Sequence, residues 1–146
     1  MMAAEEKVVA RYKNGTLVKG YVSSFRIDAD TLRLREQKAK EDSSVPLNDL
    51  KAVFFVKTFK GYRDRVERKV FGLRKNSGRK VYVKFSDRES LLGYIDGEIP
   101  WDKGFSLAKL GKKAKGFYLL PVDSSSNNMR IFVVGSAIKD ITIMVA

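Results

Sequence analysis

Apolar residues recur at every second position over short stretches of this chain, and polar turns separate the stretches. Val8, Ala10 and Tyr12 form the apolar side of the first stretch. The pair Asn14-Gly15 follows and tolerates positive φ, which predicts a type I′ hairpin turn, and residues 17–25 return as a second strand. A period of two is typical of half-buried strands. The chain is therefore predicted to begin with a β-hairpin.

The same order of features returns later in the chain. Residues 7–22 align without gaps on residues 80–95, with identical Lys, Val, Gly and Tyr at four of the sixteen positions. Residues 45–56 likewise resemble residues 133–144. We therefore predict an internal duplication. The second hairpin has Asp87-Arg88 at its turn and lacks the glycine, which predicts a longer or differently shaped loop.

Each half has room for about five short strands, because residues 31–35 and 116–120 are further strand candidates, and helical periodicity is weak. The predicted fold class is all-β, with two tandem small β-barrel repeats of the Sm-like or SH3-like kind and little helix. A single fused sheet system built from the two repeats is the alternative. The predicted organisation is a first repeat over 1–56, a basic connector over 57–79 and a second repeat over 80–146.

One face of the predicted strands is expected to form the core. If Phe54 is buried as well as Phe55, their strand is covered on both sides and the two halves pack together there. The predicted core residues are Val8, Ala10, Tyr12, Leu17, Val53, Phe55, Val81, Val83, Phe85, Leu91, Ile131, Val133, Ile141 and Ile143.

Composition excludes several kinds of chemistry. The chain has no histidine and no cysteine, so the usual zinc ligands and the Ser-His-Asp and Cys-His nucleophilic mechanisms are absent. A carboxylate-only or lysine-based mechanism stays open, but its residues resemble ordinary surface charges, so we expect no enzymatic activity, no metal and no cofactor. There is no apolar run of membrane-spanning length and no signal-peptide pattern at the N-terminus, which favours a cytoplasmic protein without a membrane partner.

The net charge of +12 is concentrated in two segments. Residues 57–80 hold ten Lys or Arg and two acids, and residues 109–115 hold four Lys. Arginines interleaved with Phe59, Tyr62 and Phe71 suit single-stranded nucleic acid, because cations meet phosphates and rings meet bases. The alternative is that these charges only solvate a linker. The candidate anion or nucleic-acid-binding residues are Lys60, Tyr62, Arg63, Arg65, Arg68, Lys69, Arg74, Lys75, Arg79, Lys112, Lys113 and Lys115.

Two resemblances bear on the fold. Residues 116–123, 127–133 and 52–56 resemble an uncharacterised bacterial family, which implies a bacterial origin and no mechanism. Residues 133–138, together with the Asn14-Gly15 hairpin, resemble the Sm-like signature. That family places an arginine before the glycine to hold RNA, and this chain has Val134 there. The resemblance therefore implies the strand order and not the RNA pocket.

A third resemblance offers an alternative ligand. The cyclic-di-GMP-binding PilZ domain combines an arginine pair with Asp/Asn-x-Ser-x-x-Gly. This chain has Arg65 and Arg68, followed by residues 88–93 with Arg88 where the acid belongs.

The functional hypothesis is a non-enzymatic binding or regulatory module that contacts nucleic acid, nucleotide or another anion through the basic connector. The alternatives are a protein–protein interaction module that uses an exposed strand edge and a divergent PilZ-like binder.

Overall fold

The computed structural model describes residues 5–26, 29–59, 79–95, 115–122 and 127–144. These residues form ten antiparallel strands, which confirms the all-β class. The first half contains β1 (Glu6–Tyr12), β2 (Leu17–Val22), β3 (Thr31–Glu36), β4 (Ser43–Pro46) and β5 (Leu50–Val56). The second half contains β6 (Arg79–Phe85), β7 (Ser90–Ile95), β8 (Gly116–Pro121), β9 (Asn128–Val134) and β10 (Ile138–Met144).

Short 3₁₀ turns, Leu47–Asp49 and Gly135–Ala137, lead into β5 and β10. Within the described ranges, no helix is long and apolar enough to span a membrane.

All ten strands belong to one continuous sheet with the order β10-β6-β7-β8-β9-β5-β1-β2-β3-β4. The order within the two halves is the same, since the fifth strand of each pairs with its first. The halves join where β5 pairs with β9, and we call this pairing the junction. Among the described residues the sheet does not close on itself, so β4 and β10 are the two edges of the described sheet.

Both faces of the junction are covered by apolar side chains. Two apolar clusters, which we call the first-half core and the second-half core, are built around Val8, Leu32 and Leu50 and around Val81, Val83 and Phe85, respectively. Phe55 is 1% exposed and belongs to the first-half core, whereas Phe54 packs against the second-half core. Phe132 from β9 is fully buried in the first-half core, although it belongs to the second half. Phe54 is half-buried rather than buried, but it packs on the face opposite to Phe55, so this strand is covered on both sides. The halves share their cores through β5 and β9.

The two hairpin turns are alike, which corrects two predictions. The Gly15 N–H donates to the Tyr12 carbonyl at 3.0 Å, and the Arg88 N–H donates to that of Phe85 at 3.1 Å. Gly15 has φ 92° and Arg88 has φ 74°. Each loop is a type I turn followed by one left-handed residue in a bulge, so neither the type I′ turn nor the differently shaped second loop was right.

The bulge also explains why Leu17 is wrong as a core residue. A two-residue turn at Asn14-Gly15 would pair Leu17 with Tyr12. The bulge adds one residue to the loop, so Leu17 pairs with Arg11 instead. A shift of one residue exchanges the faces of a strand, and Leu17 is 55% exposed. Tyr12, Leu91 and Ile143 are half-buried, and the other predicted core residues are buried.

The left-handed conformation of Arg88 leads to a stability prediction. A non-glycine residue in this region costs ~1–2 kcal/mol of conformational free energy. Glycine removes this cost, but it also raises the conformational entropy of the unfolded chain, which offsets part of the gain. We expect Arg88→Gly to raise the free energy of unfolding by about 0.5–1 kcal/mol, and Gly15→Ala to lower it by ~1 kcal/mol. Urea denaturation of both variants checks this, and equal signs for the two changes would contradict it.

Candidate nucleic-acid interface

Only two of the predicted site residues are described. Arg79 is exposed at the start of β6, opposite Ile95. Lys115 lies just before β8, and its amine is 3.2 Å from a carboxylate oxygen of Asp30 in the first half. The remaining candidates lie outside the described residues: Lys60, Tyr62, Arg63, Arg65, Arg68, Lys69, Arg74, Lys75, Lys112 and Lys113.

The root of the basic connector, residues 57–59, is anchored by one side chain. The amide oxygen of Asn127 accepts from the Thr58 N–H at 3.0 Å, and its amide nitrogen donates to the Thr58 carbonyl at 2.9 Å. The Lys57 N–H donates to the backbone carbonyl of Asn127 at 2.9 Å. The Asn127 side chain thus imitates a neighbouring strand. The connector therefore leaves the sheet from a defined position.

The last residue of this root packs against an aromatic and cationic surface on the first half. The ring of Phe59 meets that of Tyr21 edge-on, with centroids 5.3 Å apart. The guanidinium of Arg35 lies 4.8 Å from the Tyr21 centroid, because the two residues are paired across β2 and β3. The amine of Lys7 lies 5.9 Å from the Phe59 centroid. The connector thus begins beside two stacked cation–ring contacts.

An open cleft of about 400 Å³ adjoins this surface. Arg33 and Arg35 share one face of β3, since strand side chains alternate. Arg33 is largely exposed, with its guanidinium 3.6 Å from an oxygen of Asp42. Two serine hydroxyls add hydrogen-bond donors. The residues lining this cleft, which we call the arginine face, are Glu5, Tyr21, Ser23, Ser24, Arg33, Arg35 and Asp42.

Carboxylates partly neutralise the arginine face. Arg35 donates a hydrogen bond to Glu5, and this bond raises the pKa of Arg35 above its ordinary value. Asp42 stands beside Arg33 at a longer distance in solvent, where such pairs contribute little. Arg33 is therefore the cation of this face that an incoming phosphate reaches most easily.

A second cleft, of about 270 Å³, lies at the junction beside the hairpin tips. The buried amine of Lys51 lies 2.8 Å from Asp87 and 2.7 Å from Glu89, and Arg11 contacts Glu89 at 2.6 Å. Burial works to raise the pKa of Asp87, but hydrogen bonds from Lys51 and from the Glu89 N–H outweigh it and lower that pKa. These groups satisfy one another across the halves, so the cluster is a structural link.

A second ionic link lies farther along the junction. Arg130 on β9 donates two hydrogen bonds to Glu6, at 2.8 and 2.9 Å, and its guanidinium lies 3.9 Å from the Phe55 centroid. The hydrogen bonds from Arg130 lower the pKa of Glu6, and burial raises the pKa of the adjacent Tyr118. A bidentate pair stacked on a ring holds its geometry well. This link clamps the two halves rather than presenting a free cation.

The arginine face was missed in the sequence, although one signal for it exists. Arg33 and Arg35 alternate on β3, and the second half has Tyr118 and Leu120 at the corresponding positions, as the strand pairings show. The signal in the sequence was therefore that two arginines on one side of β3 replace the apolar or aromatic residues found at the aligned positions of β8. Its proximity to Phe59 depends on the fold.

The described fold is an antiparallel all-β protein with an ionic junction and one arginine-lined cleft. The family with which it shares its sequence is described as a family of unknown function (DUF6982). The family's sequence model matches residues 4–145, and the chain belongs to this family. No curated protein and no solved structure matches the chain.

Proposed function

We propose that this protein is a non-enzymatic module that binds single-stranded nucleic acid through the basic connector and the arginine face. The connector supplies most of the positive charge for phosphates, and its aromatic residues, together with Tyr21, offer stacking surfaces for bases. Arg33 and Tyr21 on the first half extend this surface onto the sheet. No base-specific contact is part of the proposal, so binding is expected to tolerate most sequences.

One observation carries the proposal. Phe59, from which the connector continues, packs on Tyr21 beside Arg35. The run of connector cations that follows therefore starts at the arginine face. A strand of nucleic acid that follows the connector meets Arg33 and Tyr21 next. A linker whose charges served only for solvation would have no need of an anchored root at this cleft.

We also propose that the two halves are copies of one small-barrel unit of Sm-like or SH3-like strand order in a bacterial, cytoplasmic protein. The shared strand order supports the duplication, as do the pairings Val8 with Gly20 and Val81 with Gly93. A β-carbon at either glycine would press on a backbone carbonyl of the adjacent strand. The same close approach at the same register is expected of copies.

The test is the binding of a labelled single-stranded oligonucleotide at low and moderate salt. We expect micromolar-range affinity that falls steeply with salt. The variant Arg63→Glu/Arg65→Glu/Arg68→Glu is expected to lose binding at moderate salt. At low salt, its plot of log K against log salt is expected to be shallower, with the magnitude of the slope reduced by about two. Arg33→Ala is expected to reduce the magnitude of the slope by about 0.7, because it removes one phosphate contact with a single strand.

A charge-matched control separates a defined surface from net charge. Lys84→Glu/Arg88→Glu/Lys139→Glu changes the net charge by the same amount on the second half, at the hairpin tip and on β10. We expect this control to bind nearly as the native chain does. Equal loss in both triple variants, or no binding by the native chain at low salt, rejects the proposal.

A protein-interaction module is the second candidate, because β4 and β10 each have a side without a partner strand in the described sheet. Strand addition depends on backbone hydrogen bonds and side-chain pockets, so it loses little affinity with salt. Salt-insensitive capture of a peptide, with no oligonucleotide binding, would favour this candidate.

A further inference from the structure

The junction works because each half contributes apolar side chains to the core of the other. Ala52 and Phe54 on β5 pack toward the second-half core. Phe132 and Val134 on β9 pack into the first-half core. Four positions thus make the pairing of β5 with β9 an apolar contact on both faces as well as a ladder of backbone hydrogen bonds.

The two edges of the sheet are the structural counterparts of these strands. Phe55 on β5 pairs with Val8, and Ile143 on β10 pairs with Val81, so β10 corresponds to β5. By the same comparison, Val45 on β4 corresponds to Val133 on β9. A second copy could in principle add its β4 to the β10 of the first, and the resulting pairing would repeat the junction.

Three of the four junction positions are polar at the edges, and the fourth is a proline. Asp140 corresponds to Ala52 and Thr142 to Phe54 on β10. On β4, Ser44 corresponds to Phe132 and Pro46 to Val134. A junction-like contact would therefore press an aspartate against the neighbouring half and offer two small hydroxyls where two phenylalanine rings pack now.

We propose that β4 and β10 are guarded ends, which limit the array to two five-strand units and keep the chain from adding copies of itself. Burying the Asp140 carboxylate is costly even though Lys84 lies opposite it on β6, because the desolvation of two charges can exceed their attraction. On β4, which has only four residues, Pro46 also removes a ladder donor, and short, charged or proline-containing edge strands are a common protection against strand addition. Polar outer faces serve the same purpose at the ends of repeat arrays.

Charge at the flank does not provide this protection. Arg79 and Asp42 correspond to Glu6 and Arg130, the ionic link of the junction, with the signs exchanged. A junction-like contact would bring this attractive pair together. The guard therefore depends on lost apolar contact, on desolvation and on the proline, and restoring the side chains of the junction at these four positions is expected to remove it.

The test restores one edge at a time. Variant one carries Asp140→Ala/Thr142→Phe on β10, and variant two carries Ser44→Phe/Pro46→Val on β4. Each has one apolar edge, so each is expected to remain monomeric in analytical ultracentrifugation, as is the native chain. An equimolar mixture is expected to form a one-to-one heterodimer at least on the order of 100-fold tighter than either self-association. Combining all four changes is expected to give longer assemblies.

A cross-linking experiment tests the proposal without large side-chain changes. Thr142 and Ser43 are exposed and correspond to the paired residues Phe54 and Ile131. The chain has no cysteine, so Ser43→Cys and Thr142→Cys provide one thiol each. The proposal predicts that mixing the Ser43→Cys and Thr142→Cys variants gives no more disulfide-linked dimer than either variant gives alone. Efficient cross-linking, or a folded mixture of the edge variants that stays monomeric, overturns it.

Discussion

Replacing Phe132 by alanine is expected to lower the free energy of unfolding by about 3–5 kcal/mol. The ring is fully buried and meets Phe25 and Tyr118, with centroid distances of 4.7 and 5.2 Å. It belongs to β9 but fills the first-half core. Its removal leaves a cavity in the first-half core beside β9, and β9 is packed on both faces, so the surroundings have little freedom to collapse.

Urea denaturation followed by far-ultraviolet circular dichroism measures this loss. Met129→Ala is the matched control, because Met129 lies on the same strand and is 42% exposed, and its effect is expected within ~0.5 kcal/mol. The Phe132→Ala variant is expected to unfold in one transition, because the two halves share the packing of β5 and β9. A first half that melts separately, or a loss no greater than that of the control, would show that the core is not shared.

The change Gly116→Ala is expected to cost about 3 kcal/mol, at the upper end of overpacking effects. A β-carbon at Gly116 would overlap the carbonyl oxygen of Val133 and approach the Phe132 ring at 3.0 Å. Backbone cannot rotate away as a flexible side chain can. Gly116 is the first residue of β8, which pairs with β9. We therefore expect the backbone shift caused by the added β-carbon to extend to the junction.

Thr31→Ala provides the control for this change. Thr31 is exposed and opens β3 opposite Pro46, as Gly116 opens β8 opposite Val134. The first half therefore accepts a side chain where the second half does not. We expect Thr31→Ala to change stability by less than ~0.5 kcal/mol. A Gly116→Ala variant as stable as this control in thermal and urea denaturation would mean that β8 and β9 lie farther apart.

Local features of the fold were predictable because neighbours along the chain produce them. Alternating apolar residues around Asn14-Gly15 identified the first hairpin, and its aligned counterpart identified the second. The turn type was beyond this pattern, because Asn-Gly suits both a two-residue turn and a bulged loop. That ambiguity of one residue was enough to place Leu17 on the wrong face.

The candidate site divides in the same way. Charge counts alone located the basic connector, because a run of arginines is visible without a fold. The arginine face required strand pairing, which sets Tyr21 beside Arg35, and a fold that brings Phe59 back onto Tyr21. The Asn127 clamp on Thr58 joins residues 69 positions apart, and nothing local marks either residue as a partner.

By itself, the sequence determined the all-β class, most of the strands and the positions of the charge, since these follow from short-range periodicity and composition. Only the tertiary structure decided that β5 pairs with β9 and that Phe132 fills the core of the other half. The physical reason is that an apolar residue on the outer side of a strand can face solvent, a partner or a second core. Which of these it faces depends on strands far away in the chain.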